Sequence, residues 1–407
     1  MQIKRQIKEH KTQLLILMVL LMFVAQASTD IFIPGLPSMT REFNTDLAKM
    51  NTTISIFVYS QAIFFLVVGV ISDLYGRRVV LISCVTVQII ASILIANIHS
   101  LNLFIILRIF QALGTSAVYI VLRMIIKDIM DREEQVHAIG ILVIGMFISP
   151  AVAPVVGAHL IDFFDWRACF VAVAISMSIL LIWFWVLVDE TNLHMQQFRH
   201  DYSLAKQIRS YFLVMNSRLF NMLVLIVGGT FSSYYGFIAI SSYVYIDEYK
   251  INSVVYSYVF LFIAGGYLLG NQIMLRLNSH KVPQWKIIQY GLIISCIGMI
   301  VMLLGLFMGE HKLLILGMLT FGASLIRLAT AFINPPVQAL VVNHFGHMGA
   351  QALGLISCFQ YLSAGIGAAI VSHLPFAPSV SLILGSIIFT LISLIGYYYC
   401  PSTKIKN

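Results

Sequence analysis

The sequence predicts an all-α polytopic membrane protein with twelve transmembrane helices in two six-helix halves, and three observations carry that prediction. First, 59% of its 407 residues are hydrophobic and only 10% are charged, with a mean hydropathy of +0.91. A soluble domain carries about 25% charged residues, so this chain cannot solvate a globular surface. Second, apolar runs long enough to cross a bilayer, about 20 residues each, recur twelve times. Third, lysine and arginine gather on one side of those runs. Together these exclude a soluble enzyme, a disulfide scaffold, a collagen and a disordered chain. An outer-membrane barrel is excluded as well, because its strands would alternate apolar with polar residues and these runs are apolar on every face.

The runs fall at about 14–36, 51–72, 79–98, 101–126, 136–161 and 168–188, then at about 219–245, 254–276, 286–308, 313–342, 348–373 and 379–400. Between the sets lies the polar stretch DETNLHMQQFRHDYSLAKQIRS. The expected organisation is an N-terminal half over 1–190, a cytoplasmic linker over 191–217 and a C-terminal half over 218–407. Two helical halves joined this way can move against each other. The opening MQIKRQIKEHK is followed by an apolar run without a small-residue cleavage site, which reads as a retained first helix.

With the N-terminus placed inside, 17 lysines and arginines fall on the cytoplasmic side and 5 opposite, with Arg108, Arg123 and Arg327 left within runs, for 25 in all. That bias places both ends inside. It also accounts for the net charge of +8 without any nucleic acid. The five cysteines show no CxxC spacing and read as small buried hydrophobes, so no metal site or cofactor is expected. Trp166 and Trp285 stand at predicted helix ends, as anchors in an interfacial belt would.

An ionisable residue in a hydrocarbon core costs about 2.5–3.5 kcal/mol on insertion scales, so each needs a reason. Of the 17 acidic residues one lies deep: Asp30, in QASTDIFIPGLP, with Pro34 and Pro37 behind it. It reads either as a proton-accepting carboxylate in a central cavity or as a helix-end carboxylate at the far interface. Arg108 reads either as a cavity cation coupled to Asp30 or to an anionic substrate, or as a buried donor to broken backbone carbonyls. Arg327 stands near the middle of the tenth run and Arg123 close enough to an end to snorkel.

The segment GVISDLYGRR joins the second and third runs on the cytoplasmic side. Gly69 and Gly76 permit close packing and a tight turn. Asp73 is expected to cap the start of the third helix, and Arg77 and Arg78 to anchor the loop at the membrane surface. In the fifth run Pro150, Pro154 and Gly157 free backbone carbonyls and thin the helix for close contact.

With these residues assembled, the chain resembles the major facilitator superfamily over essentially its whole length. GVISDLYGRR is similar to that family's motif Gly-x-x-x-Asp-x-x-Gly-Arg-Arg/Lys, and RIFQALGTSA, with Arg108, Gln111 and Gly114, resembles its fourth-helix motif. SPAVAPVVGA resembles the antiporter motif Gly-Pro-x-x-Gly-Gly, with Ala153 and Ala158 where glycines are usual. STDIFIPGLP, RMIIKD, DWRACF, the DET after the sixth run and GAQALGLISCFQY resemble the Bcr/CflA branch of drug/proton antiporters. The second half departs from the pattern, since GNQIMLRLNSHK lacks the Asp-x-x-Gly-Arg-Arg core.

The resemblance implies the major facilitator fold in a bacterial inner membrane and multidrug efflux driven by inward proton flow. It assigns proton coupling to Asp30 and Arg108, and a latch favouring the outward-facing state to Asp73 and Arg77 within the loop Gly69–Arg78. The expected partners are a small-molecule substrate, protons and the lipid bilayer, and the expected state is a monomer. Tyr234, Tyr235 and Phe237 are candidate cavity walls, with Gln111 and Arg327. The alternative is an exporter of one specific metabolite such as a siderophore. An enzyme or sensor on the same scaffold has no nucleophile elbow, phosphate loop or acid/histidine cluster to support it.

Overall fold

The computed structural model describes residues 11–192, 195, 203–308 and 311–401. Lys4, Arg5, Lys8, Arg199, Lys404 and Lys406, all counted toward the charge bias, lie outside the described residues, as does part of the 191–217 linker. Fourteen α-helices are described: α1 Lys11–Asp30, α2 Leu36–Glu42, α3 Leu47–Tyr75, α4 Arg77–Ile95, α5 Leu101–Ile129, α6 Arg132–Phe163, α7 Arg167–Leu187, α8 Leu204–Met215, α9 Arg218–Ser242, α10 Ser253–Ser279, α11 Gln284–Gly305, α12 Lys312–Phe345, α13 Gly349–His373 and α14 Pro378–Tyr398. Among the described residues twelve segments are long and apolar enough to cross a membrane, α1 and α2 forming one broken span over Lys11–Glu42.

The break follows from the prolines. Pro34 has no N–H to offer the carbonyl of Asp30 four residues earlier, so α1 ends at Asp30 and a 3₁₀ turn, Ile33–Gly35, leads into α2. In α6 the same chemistry at Pro150 and Pro154 leaves the helix continuous. Neighbouring segments can re-satisfy freed backbone groups in a membrane helix.

Two compact units emerge, one within Met1–Gly35 and Ile63–Tyr202, the other within Leu36–Ala62 and Ser203–Asn407. In the first, α1 packs on α6 and α7, and α4 packs on α5 and α7. In the second, α11 packs on α12, and α9 on α13 and α14. The segment Leu36–Ala62 is tied to the rest of the second unit by polar contacts. Thr40 Oγ1 lies 2.7 Å from the Tyr243 hydroxyl, Arg41 Nη1 pairs with Asp247 at 2.8 Å, and Asn51 Nδ2 donates to Ser372 Oγ at 2.8 Å.

The outward faces are apolar. On α7, Ile175, Ile179, Ile182 and Val186, one face at i, i+4, i+7 and i+11, are all exposed. A soluble monomer does not carry apolar patches of that extent, and a bilayer covers them. Trp166 is not an interfacial anchor: it is only 2% exposed, packing against Phe104 and Phe170, with the Arg167 guanidinium 4.4 Å over its ring. Trp285 stacks on Tyr397 at 4.3 Å. Cys169, Cys358 and Cys400 are buried. At Cys400, just beyond α14, burial pushes the thiol up to about 11, with Arg218 pulling the other way.

Gly157 sets the closest approach of α6 to α1. A Cβ there would run into the carbonyl of Ile31, beside Asp30. Gly157→Ala is therefore expected to cost about 1–3 kcal/mol, because a backbone atom cannot swing aside. Gly140→Ala, on the same helix with nothing within 4 Å, is the matched control. Unfolding temperatures in detergent read both, and equal values would refute the contact.

Candidate functional site

The deep charges lie on two facing stripes of the first unit. On α5, Arg108, Gln111, Thr115 and Tyr119 are spaced i, i+3, i+7 and i+11, which places them on one helical face. On α1, Gln26 and Asp30 are i and i+4, with Ser28 between them. All seven side chains are buried.

Their hydrogen bonds form two connected groups. Gln26 Nε2 donates to Asp30 Oδ2 at 2.8 Å, and the Tyr119 hydroxyl donates to Gln26 Oε1. Arg108 Nη1 donates to the Ser28 carbonyl at 3.1 Å and to Gln111 Oε1 at 2.9 Å. Gln111 Nε2 then donates to Ser92 Oγ at 2.7 Å, and Ser92 Oγ to the Gln88 carbonyl at 2.8 Å. The Arg108 guanidinium also lies 4.8 Å from the Phe32 ring centroid.

The electrostatics follow from the broken span. Ser28 stands in the last turn of α1, where carbonyls lose their intrahelical partners and the helix carries partial negative charge. Arg108 meets one of those carbonyls two residues before Asp30. It therefore serves as the donor to broken backbone that its sequence position allows, while holding its charge at the turn that ends in Asp30. Asp30 is 1% exposed and Arg108 has no measurable exposure. Both side chains are thus enclosed by the surrounding helices.

In the segment Gly69–Arg78, Arg77 is the hub. Its Nη2 lies 2.7 Å from Asp73 Oδ1, its Nε 3.0 Å from Asp128 Oδ2, and its Nη1 donates to Ser72 Oγ at 3.2 Å. Asp73 does not cap α4, contrary to expectation, because its carboxylate is committed to Arg77. Glu190 does: Oε1 accepts the backbone N–H of Arg77 at 2.8 Å and Oε2 that of Arg78 at 3.1 Å. A carboxylate at a helix N-terminus is favoured by the dipole. Gly76, with φ of 100°, makes the turn, and a Cβ there would strike the Glu190 carboxylate. Arg78 donates to the Trp185 carbonyl at 2.6 Å. Gly69 faces Ile120 of α5, where a Cβ would fit at 3.7 Å.

The remaining candidates lie in the second unit. Tyr234, Tyr235 and Phe237 are buried on α9, and Tyr234 and Phe237 line a small cleft with Ile263, Ala323 and Ile326. Arg327 lies over the Tyr234 ring at 3.7 Å and the Tyr267 ring at 4.7 Å. Gln111 belongs to the first unit's network and not to this aromatic wall. Gln26, Tyr119, Ser92, Glu190, Asp128 and Tyr267 are functional candidates that the sequence reading missed. The i, i+4 and i, i+11 spacings could have found Gln26 and Tyr119; Glu190 and Asp128 meet the loop only through the fold.

Twelve apolar spans among the described residues, with a buried polar seam between helices, mark a multi-pass membrane protein. A profile of the Major Facilitator Superfamily matches residues 18–368, and the chain belongs to that superfamily, a family of transporters and not of enzymes. It is 26% identical over 303 residues to an uncharacterized transporter of Rickettsia felis, covering 72% of each chain. It is 26% identical over 293 residues to the chloramphenicol resistance protein CraA of Acinetobacter baumannii, covering 71% of this chain and 68% of that one. Among solved structures, a bacterial homologue of the human lysosomal transporter Spinster superposes with a TM-score of 0.77 at 15% identity, covering 97% of this chain and 98% of its own. That likeness is one of fold.

Proposed function

We propose that this protein exports small drug-like molecules across a bacterial inner membrane by alternating access, driven by protons flowing inward. The observation that carries the proposal is Asp30: a buried carboxylate at the broken end of a membrane span, held by Gln26 and adjoining the turn that Arg108 caps. Burial disfavours the charged form of a carboxylate and a nearby cation favours it, so a modest change in surroundings moves its proton. Protonation from outside lowers the cost of closing the site, and deprotonation to the cytoplasm readies it for substrate. The loop Gly69–Arg78 is the latch that this cycle opens and closes, and Pro150, Pro154 and Gly157 shape the helix against α1. The similarity to a chloramphenicol resistance protein, and the motifs shared with the Bcr/CflA branch, support the drug class and the outward direction. The halves 1–190 and 218–407 rock about the linker, both termini stay cytoplasmic, and one chain is the working unit.

The test is chloramphenicol uptake by proteoliposomes with an acidic lumen. Accumulation above protein-free vesicles, with alkalinisation of the lumen and abolition by nigericin, is the expected result. Accumulation that ignores the gradient, or that needs the acid outside, would overturn proton-driven export.

A further inference from the structure

Arg327 shares its unit with five acids, of which Glu42 and Asp46 are exposed, and among the described residues none of them pairs with it. From residue 203 onward the sequence holds three acids, Asp247, Glu248 and Glu310. Asp247 pairs with Arg41 at 2.8 Å, and Glu248 caps α14 by accepting from Ser379 Oγ at 2.6 Å and Ser379 N at 2.9 Å. Glu310 lies outside the described residues, in the connection after α11. Arg327 itself stands mid-span on α12, 9% exposed, and among the described residues no carboxylate pairs with it and no acceptor takes its hydrogen bonds.

The placement is built rather than incidental. Gly266 and Gly270 bring α10 onto α12 so closely that added Cβ atoms would lie 2.7 Å from the carbonyls of Ser324 and Leu328. That contact sets Tyr267 beside Arg327, and Tyr234 comes over the guanidinium from α9. Two aromatic rings hold a guanidinium by its flat faces, through cation–π attraction. Among the described residues no acceptor bonds its N–H edge, and such an edge matches a planar oxyanion with two parallel hydrogen bonds. One guanidinium balances one negative charge. Through Tyr234 the group adjoins the apolar cleft lined by Phe237, Ile263 and Ile326.

We infer that Arg327, clamped by Tyr234 and Tyr267, is the recognition site for the carboxylate of an amphiphilic substrate whose aromatic or apolar body lies against the α9 wall. This inference rests on the export reading above and adds small aromatic monocarboxylates to its substrate class beside neutral drug-like molecules.

The probes are 1-naphthoate and its uncharged isostere 1-naphthamide, bound to the purified full-length chain in detergent. Wild type is expected to bind naphthoate at least ten-fold more tightly than the amide. Arg327→Gln should erase that preference, Arg327→Lys should keep only part of it, and Tyr267→Leu should weaken naphthoate several-fold while leaving the arginine in place. Should Arg327→Gln fail to fold, Tyr267→Leu carries the test. Equal affinities for acid and amide in wild type, or a preference that survives in Arg327→Gln, would overturn the assignment. A preference that stands while gradient-driven chloramphenicol uptake fails would sink the export reading and leave the anion site intact.

Discussion

Asparagine in place of Asp30 is expected to leave the protein folded and able to bind substrate, but unable to release a proton when it does so. The exchange is isosteric, and the amide oxygen of asparagine can accept the same hydrogen bond that Gln26 Nε2 gives to Asp30 Oδ2 at 2.8 Å. What disappears is the titrating group. Burying a neutral amide with a partner costs less than burying a carboxylate, so stability should hold within about 1 kcal/mol or rise. Proton release on adding chloramphenicol to lightly buffered, detergent-solubilised protein, read with a pH dye, should fall at least ten-fold from wild type, in line with the roughly all-or-none loss of a titrating site. Gradient-driven uptake should fall with it. Equal release from both proteins would move the coupling site away from α1, and an altered unfolding temperature would separate a folding fault from a coupling fault.

Much of this site could be read from the chain because it is built on helical periodicity. Asp30 stands out as the one acid deep in a run, and Gln26 lies one turn before it on the same face. Arg108, Gln111, Thr115 and Tyr119 trace a single polar stripe along α5, since eleven residues make almost three whole turns. The twelve spans follow from hydropathy, which depends on composition and not on tertiary contact. Other features depend on partners far along the chain. Glu190 caps α4 across 113 positions, and no local pattern announces that, although the DET segment was visible as a motif. Asp73 carries the right chemistry for a cap but sits i−4 from Arg77, and the ion pair took it. Trp166 matches an interfacial anchor by position alone; the rings of Phe104 and Phe170 draw it inward. Leu36–Ala62 joins the second unit through single side-chain contacts such as Asn51 to Ser372, which leave no periodic trace.

Arg108 is expected to tolerate no substitution, lysine included, and the reason lies in the shape of the guanidinium more than in its charge. One nitrogen, Nη1, serves two acceptors, the Ser28 carbonyl at 3.1 Å and Gln111 Oε1 at 2.9 Å, while the planar group faces the Phe32 ring. Methionine would fill the space and leave both acceptors without that donor. A buried acceptor stranded in this way costs about 1–3 kcal/mol, so Arg108→Met should lower stability by roughly twice that range's lower bound or more. Lysine keeps the charge near the end of α1 and so keeps the favourable interaction with the helix dipole. Its ammonium is a compact point charge without the fork, and it cannot hold Gln111 and the Ser28 carbonyl together while lying flat on a ring. With Gln111 released, its bond to Ser92 at 2.7 Å loses its anchor, and the contact of α5 with α1 and α4 loosens together. Arg108→Lys should therefore fold yet lose at least ten-fold in gradient-driven uptake, a loss of about 1.4 kcal/mol or more in the coupled step. If charge alone set the behaviour of Asp30, the lysine variant would transport as well as wild type, and that result would reassign Arg108 from a shaped bridge between three helices to a simple counter-charge.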